Sequence, residues 1–226
     1  MIHPHKNDSI KSEFAVRYNS LHLPIHYLCG IMTNKSYETV AAAMTNRRSV
    51  SWAKMNGKLI ADEAISQLLE LAHWAPTHGR TEPWFFFVYT GAALQQFGRD
   101  HAELYWQHTG KEKRMESTRQ KLEHNVQHTS HLIVAAMKRG ANPKIPVIEE
   151  IAAASAAIQN ILVGAESMGI SSFWSTGGMT HHPALRAHLG LGEEDIVLGV
   201  LFLGHTDEPA KQGVRNSSIS EKVKWL

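Results

Sequence analysis

The chain is poor in cysteine, in net charge and in long apolar runs. A single cysteine, Cys29, in 226 residues excludes an intramolecular disulfide framework and a cysteine-rich zinc site. Lys and Arg number 23 against 21 Asp and Glu, a formal charge of +2. That excludes the dense basic field of a dedicated nucleic-acid binder and leaves room only for a local patch. No stretch reads as the roughly 18–20 apolar residues that span a bilayer. The start, Met1-Ile2-His3-Pro4-His5-Lys6, lacks the basic-then-apolar order of a signal peptide. No G-x-G-x-x-G follows a strand candidate, which weighs against a Rossmann nicotinamide site. A cytoplasmic protein with neither nucleic acid nor membrane as partner is the expectation.

What is present suffices for a folded core: 43% of the residues are hydrophobic and 19% charged, in a length suited to one domain. Residues 1–33 carry His3, His5, His22 and His26 and apolar residues without period. They read as a poorly ordered or loosely docked extension before a single domain over 34–226, with Met32 and Met44 as alternative starts. Ser36-Tyr37-Glu38-Thr39 opens a helix that ends near Asn46. Ala61 to Ala75 places Ile65, Leu68, Leu69 and Ala72 on one helical face, and Pro76 stops it. Trp84 to Tyr89 is a buried strand between Pro83 and Gly91. Residues 92–127 read as one broken helix or two successive ones.

Leu132–Met137, Ser171–Ser175 and Ile196–Leu203 are further strands, and Pro183–Leu189 a short helix. Between them, Pro146 opens an Ala-rich helix to about Met168 that is small or apolar on most sides and is expected to be buried nearly all round. Strands separated by helices imply mixed α and β, without the regular alternation that would require a doubly wound sheet.

Three stretches can carry chemistry. Arg47-Arg48-Ser49 follows the first helix and can grip an anion through forked donors, or be a solvated helix end. Ala75 to Trp84 is a polar loop held between a helix and a strand. Ser172-Phe173-Trp174-Ser175-Thr176-Gly177-Gly178 runs from a strand into a glycine loop where backbone N–H groups can approach a planar ligand. Fifteen histidines raise a metal alternative. His124, His128 and His131 share a face only if one helix continues that far, and no carboxylate pair or cysteine completes a tetrahedral set. Trp52, Trp106 and Trp225 read as packing groups.

In this order and spacing the segments, with Ala165-Glu166-Ser167-Met168-Gly169-Ile170 closing the Ala-rich helix, resemble the FMN-dependent nitroreductase family, most of all its small members, from about Ser36 to Leu226. The resemblance implies an α+β fold, a central antiparallel or mixed sheet flanked by helices, in an intertwined homodimer with two FMN sites at the subunit interface. Carried over by position, Arg47, Arg48 and Ser49 would meet the phosphate, ribityl chain and pyrimidine edge, with Arg48 near N1/O2. His78 and Arg80 would reach the flavin from the other subunit. Trp174, Ser175 and Thr176 would face the isoalloxazine through backbone N–H groups. Lys211 and Arg215 would close on the phosphate.

The chain departs from the family in having Arg80 and Glu82 where Asn and Gln often precede Pro-Trp. No catalytic side chain and no metal is called for, because the flavin supplies the redox chemistry. The implied activity is oxidation of NAD(P)H and reduction of a small electron-poor acceptor, nitroaromatic or quinone, in a ping-pong cycle. A same-fold dehydrogenase or reductive dehalogenase, and a flavin store or sensor with little turnover, are the alternatives.

Overall fold

The computed structural model describes residues 34–226; the expected extension over 1–33 lies outside them. Six α-helices and four strands are joined by three short 3₁₀ turns, at Trp52–Lys54, His78–Arg80 and Ile219–Lys222. The helices are α1 (Lys35–Asn46), α2 (Asp62–His73), α3 (Gly91–His108), α4 (Glu116–His124), α5 (Val147–Ser167) and α6 (Pro183–His188). The strands are β1 (Trp84–Thr90), β2 (His131–Met137), β3 (Ser171–Ser175) and β4 (Ile196–Gly204). The polar stretch after β1 resolves into two helices, α3 and α4. Because α4 ends at His124 and His131 opens a strand, the three histidines share no helical face.

The sheet runs β1-β2-β4-β3 with every neighbouring pair antiparallel. This is the α+β architecture expected, and it has a simple cause. β2 is buried at all seven positions, so the continuous apolar run Leu132–Met137 that follows His131 is divided by the period of two between two layers. Ile133 and Ala135, with Leu201 and Leu203 of β4, pack on α2 and α5 through Ile65, Leu68, Ala72, Ile158 and Ile161. Leu132 and Val134, with Val200 and Phe202, pack on the opposite side against Leu94, Phe97, Val126 and Leu185. Helices on both faces leave Thr39–Leu226 as one compact unit.

α5 departs from expectation in one respect. Its inner face is fully buried, but Ile148 is 69% exposed, and Ala152 and Gln159 one and three turns on are also exposed. One chain covers this helix only from the sheet and α2, leaving a stripe at i, i+4 and i+11. By length and composition α5 also suits a membrane span, yet here it is the core helix, with Glu150 of its first turn fully buried against Arg139.

Candidate functional site

The chain leaving α1 lies beside β3. Val50 donates its N–H to the Ser172 carbonyl at 2.9 Å, and Ser49 forms an isolated parallel bridge with Ser172. Residues 49–50 thus extend the sheet past its β3 edge. Arg48 turns toward the C-terminal segment. Its Nε donates to the Lys211 carbonyl at 2.9 Å, and its Nη1 to the carbonyls of Thr45 and Arg47 at 2.7 and 2.8 Å. Three of its five N–H donors are committed to backbone oxygens, two of them at the electronegative end of α1. Arg48 therefore tethers the C-terminal segment to the end of α1, while it still lines the cleft described next.

The Arg47 guanidinium has no partner among the described residues. A cleft of about 370 Å³ is lined by Arg48, Ser49, Lys54, Glu166, Glu208 and Lys211, so Arg48, Ser49 and Lys211 come together there. Lys54 is already bound to Glu208 at 2.6 Å, a hydrogen bond that raises its pKa. Arg47 and Arg215 do not line this cleft. Arg215 is exposed, and among the described residues its side chain bonds only its neighbour, the Val214 carbonyl, at 3.1 Å.

A second cleft, of about 300 Å³, shares Ser51 with the first and opens between the sheet and the α3–α4 pair. Phe173, Val200 and Phe202 make an apolar floor, while Ser51, His101, Lys121, Asn125 and Ser175 supply polar groups and Gly177 and Gly178 supply backbone. Lys121 and Asn125, four residues apart at the end of α4, share one helical face. The N–H groups of Thr176 and Gly178 donate to nothing among the described residues, and Asn125 Oδ1 is buried without a partner. A buried polar atom left unpaired costs about 1–3 kcal/mol, so Asn125 Oδ1 is a local cost to stability at the wall of this cleft.

Ser175 lines the cleft, but Trp174 does not. Alternation along β3 sends the Trp174 indole to the α5 side of the sheet, where Nε1 donates to the Leu198 carbonyl at 3.1 Å. Its indole is a packing group, and only its backbone is left for a ligand. Sequence reasoning missed Ser51, His101, Lys121 and Asn125. The i, i+4 spacing of Lys121 and Asn125 was readable, though not the direction their helix face would take.

The loop before β1 is strained: Gly79, Arg80 and Glu82 have φ of 59°, 54° and 44°, a conformation costly for the two non-glycine residues. Hydrogen bonds hold it, from the Glu82 N–H to Thr77 Oγ1 at 3.2 Å and between Thr77 and Thr81 at 3.0 Å. His78 pairs through Nδ1 with Glu149 in the first turn of α5. The Arg48–Ser49 cleft instead meets Glu166 and Gly169 at the other end of that helix, about 30 Å away for 21 residues. A single chain therefore does not bring His78 and Arg80 to Ser49.

The remaining histidines serve locally. His131 is buried between Ser130 Oγ and Asp62, at 3.0 and 2.9 Å, and His181 Nδ1 bonds the Val197 carbonyl at 3.0 Å. Among the described residues no three His, Cys, Asp or Glu side chains gather as a metal site.

Solved structures similar to this chain share its fold. The nitroreductase-like family protein from Bacillus cereus, a crystal structure, is 27% identical and superposes with a TM-score of 0.73 over 87% of this chain and 99% of that one. The FMN-dependent nitroreductase NfnB from Mycobacterium smegmatis, solved in complex with NADPH, is 14% identical and shares the fold, with a TM-score of 0.66 over 84% of this chain and 99% of that one. The Escherichia coli (strain K12) protein named "Putative NAD(P)H nitroreductase YdjA" is 26% identical over 162 residues, 71% of this chain and 85% of that protein. The family model described as "Nitroreductase family" matches residues 44–205, most of the domain whose two clefts and β3 edge are described above, and the chain belongs to that family.

Proposed function

We propose that this protein is an FMN-dependent oxidoreductase that takes electrons from NAD(P)H and passes them to a small electron-poor acceptor, a nitroaromatic or a quinone. One observation carries the reading. The cleft beside β3 joins an apolar floor of Phe173, Val200 and Phe202 to the Gly177–Gly178 backbone, whose Gly178 N–H has no partner among the described residues, with the Thr176 N–H in the same loop and Asn125 on the α4 side. A planar ring with a polar edge suits that set: the floor takes its face, while backbone N–H groups and the Asn125 amide take its heteroatoms. Ser51 would border the ring. Arg47, whose side chain has no partner among the described residues, and Ser49 on the exposed edge would meet the phosphate, with Lys211 and Arg215 closing from the C-terminal segment.

Bound there, FMN would supply the hydride and electron transfer. The residues around it hold, orient and shield, so no nucleophile or acid–base pair is needed. The relative named "Putative NAD(P)H nitroreductase YdjA" supports the reading, and the FMN-dependent nitroreductase solved in complex with NADPH has the same fold.

The working unit is a homodimer. His78 and Arg80 lie a helix length from Ser49, so a site using both draws one half from a second copy. The exposed stripe Ile148–Ala152–Gln159 gives such a copy a surface with two apolar side chains, Ile148 and Ala152, and one polar carboxamide. The interface is expected at the obligate scale, above roughly 2,000 Å² in total.

Purified protein is expected to be yellow or to take up about one FMN per chain, and to oxidise NAD(P)H faster once a quinone or nitroaromatic is added. Protein that binds no FMN overturns the proposal. Tight binding with oxidation that no acceptor accelerates makes it a flavin store or sensor instead.

A further inference from the structure

α3 reaches the end of β3 through one imidazole. His101, in the middle of α3, is only 4% exposed and packs against Phe97, with ring centroids 5.5 Å apart. Its Nε2 accepts the Met179 N–H at 2.9 Å. An imidazole accepting at Nε2 is neutral, with its proton on Nδ1. Burial holds its pKa down to about 4, so that form persists through the neutral range.

The ring lies directly beneath the glycine turn. Gly178 has φ +64°, and a Cβ there would come within 2.7 Å of Leu122 and 2.8 Å of His101 Nε2. The turn is closed from its other side by Thr180 Oγ1, which donates to the Gly177 carbonyl at 2.7 Å. Gly177, Gly178, Thr180 and His101 all border the cleft beside β3. Packing alone would be met by an apolar side chain, since Phe97 and Leu122 surround the ring. What the imidazole adds is an acceptor at one fixed point, under Gly178, whose own N–H has no partner among the described residues.

We propose that His101 is the positioning residue of this cleft: by accepting the Met179 N–H it fixes the Gly177–Met179 turn, so that the Gly178 N–H is held as a donor to the ring of a flavin bound there. The proposal rests on the FMN reading, and its test separates the two.

FMN and riboflavin are titrated by fluorescence into the wild-type protein and into His101→Gln and His101→Asn, with a melting curve for each. Gln can present its side-chain oxygen where Nε2 lies; Asn is too short. His101→Asn is expected to weaken both flavins about tenfold and by the same factor, because the phosphate is not involved. Its bound flavin should show a displaced absorption maximum. His101→Gln is expected to stay within about threefold of wild type with an unshifted maximum. If His101→Asn does not fold, His101→Leu takes its place with the same expectation. Wild-type affinity in a folded Asn or Leu variant, or a folded Gln variant as weak as Asn, overturns the positioning role while the FMN reading stands. Wild-type protein that binds neither flavin removes both.

Discussion

Arg48 and Lys211 are 163 residues apart in the chain, and the Arg48 guanidinium donates to the Lys211 carbonyl at 2.9 Å. Arg48 also bonds the Thr45 and Arg47 carbonyls, so one side chain pins the C-terminal segment to the end of α1. Its neighbour Arg47 has no such engagement. The two adjacent arginines thus differ: Arg48 is engaged with backbone carbonyls, and the Arg47 side chain has no partner among the described residues.

That division predicts different phenotypes. Arg47→Ala should weaken FMN by roughly ten- to a hundredfold while hardly changing riboflavin, which lacks the phosphate. Arg48→Ala should instead speed hydrogen exchange over residues 206–215 and weaken FMN through the loosened segment. Riboflavin and FMN titrations with exchange mass spectrometry check both. Equal losses of the two flavins in Arg47→Ala would contradict the phosphate role.

Gly199 lies where the Trp174 indole crosses the sheet: a Cβ there would come 1.9 Å from Trp174 Nε1. Gly199→Ala should therefore displace the indole, break its bond to the Leu198 carbonyl and cost about 3 kcal/mol. The urea midpoint should fall with little change in slope. With Trp174→Ala already present, the same substitution should cost less than about 1 kcal/mol, because the two residues are directly coupled.

Asn125 is expected to trade stability for binding. Its Oδ1 is buried and has no partner among the described residues, so Asn125→Leu should raise the melting temperature of flavin-free protein. The same change should weaken flavin, as the carboxamide contact is gone. Melting curves with and without FMN separate the effects, and a lowered flavin-free melting temperature would contradict the argument.

His101 sets an acid limit on stability. Burial lowers its pKa to about 4, whereas in the unfolded chain it titrates near 6.5. Between those values the unfolded chain binds the extra proton, so stability falls as pH falls and levels off below about 4. The loss from this group is on the order of 3 kcal/mol. His101→Gln, which cannot take up that proton, should flatten the limb between pH 6.5 and 4 in urea titrations.

The elements of this fold were written locally. Pro76, Pro146 and Gly169 mark helix boundaries, the face Ile65–Leu68–Ala72 buries α2, and Ser171–Ser175 reads as a strand and is one. Each follows from backbone preferences and an apolar period that act over a few residues. The sequence by itself also singled out the segments at 47–49, 76–83 and 172–178, because breakers and glycines stand where regular structure stops. It did not decide which way side chains at those stops would point. Only packing turned Arg48 toward Lys211, sent Trp174 to the α5 layer and Ser175 to the cleft, and set the loop of His78 at the opposite end of α5 from Ser49. The cleft itself unites Ser51, His101, Asn125 and Gly178 from four separate segments. No local period encodes such a meeting; it exists once the sheet fixes the distance between α3, α4 and the end of β3.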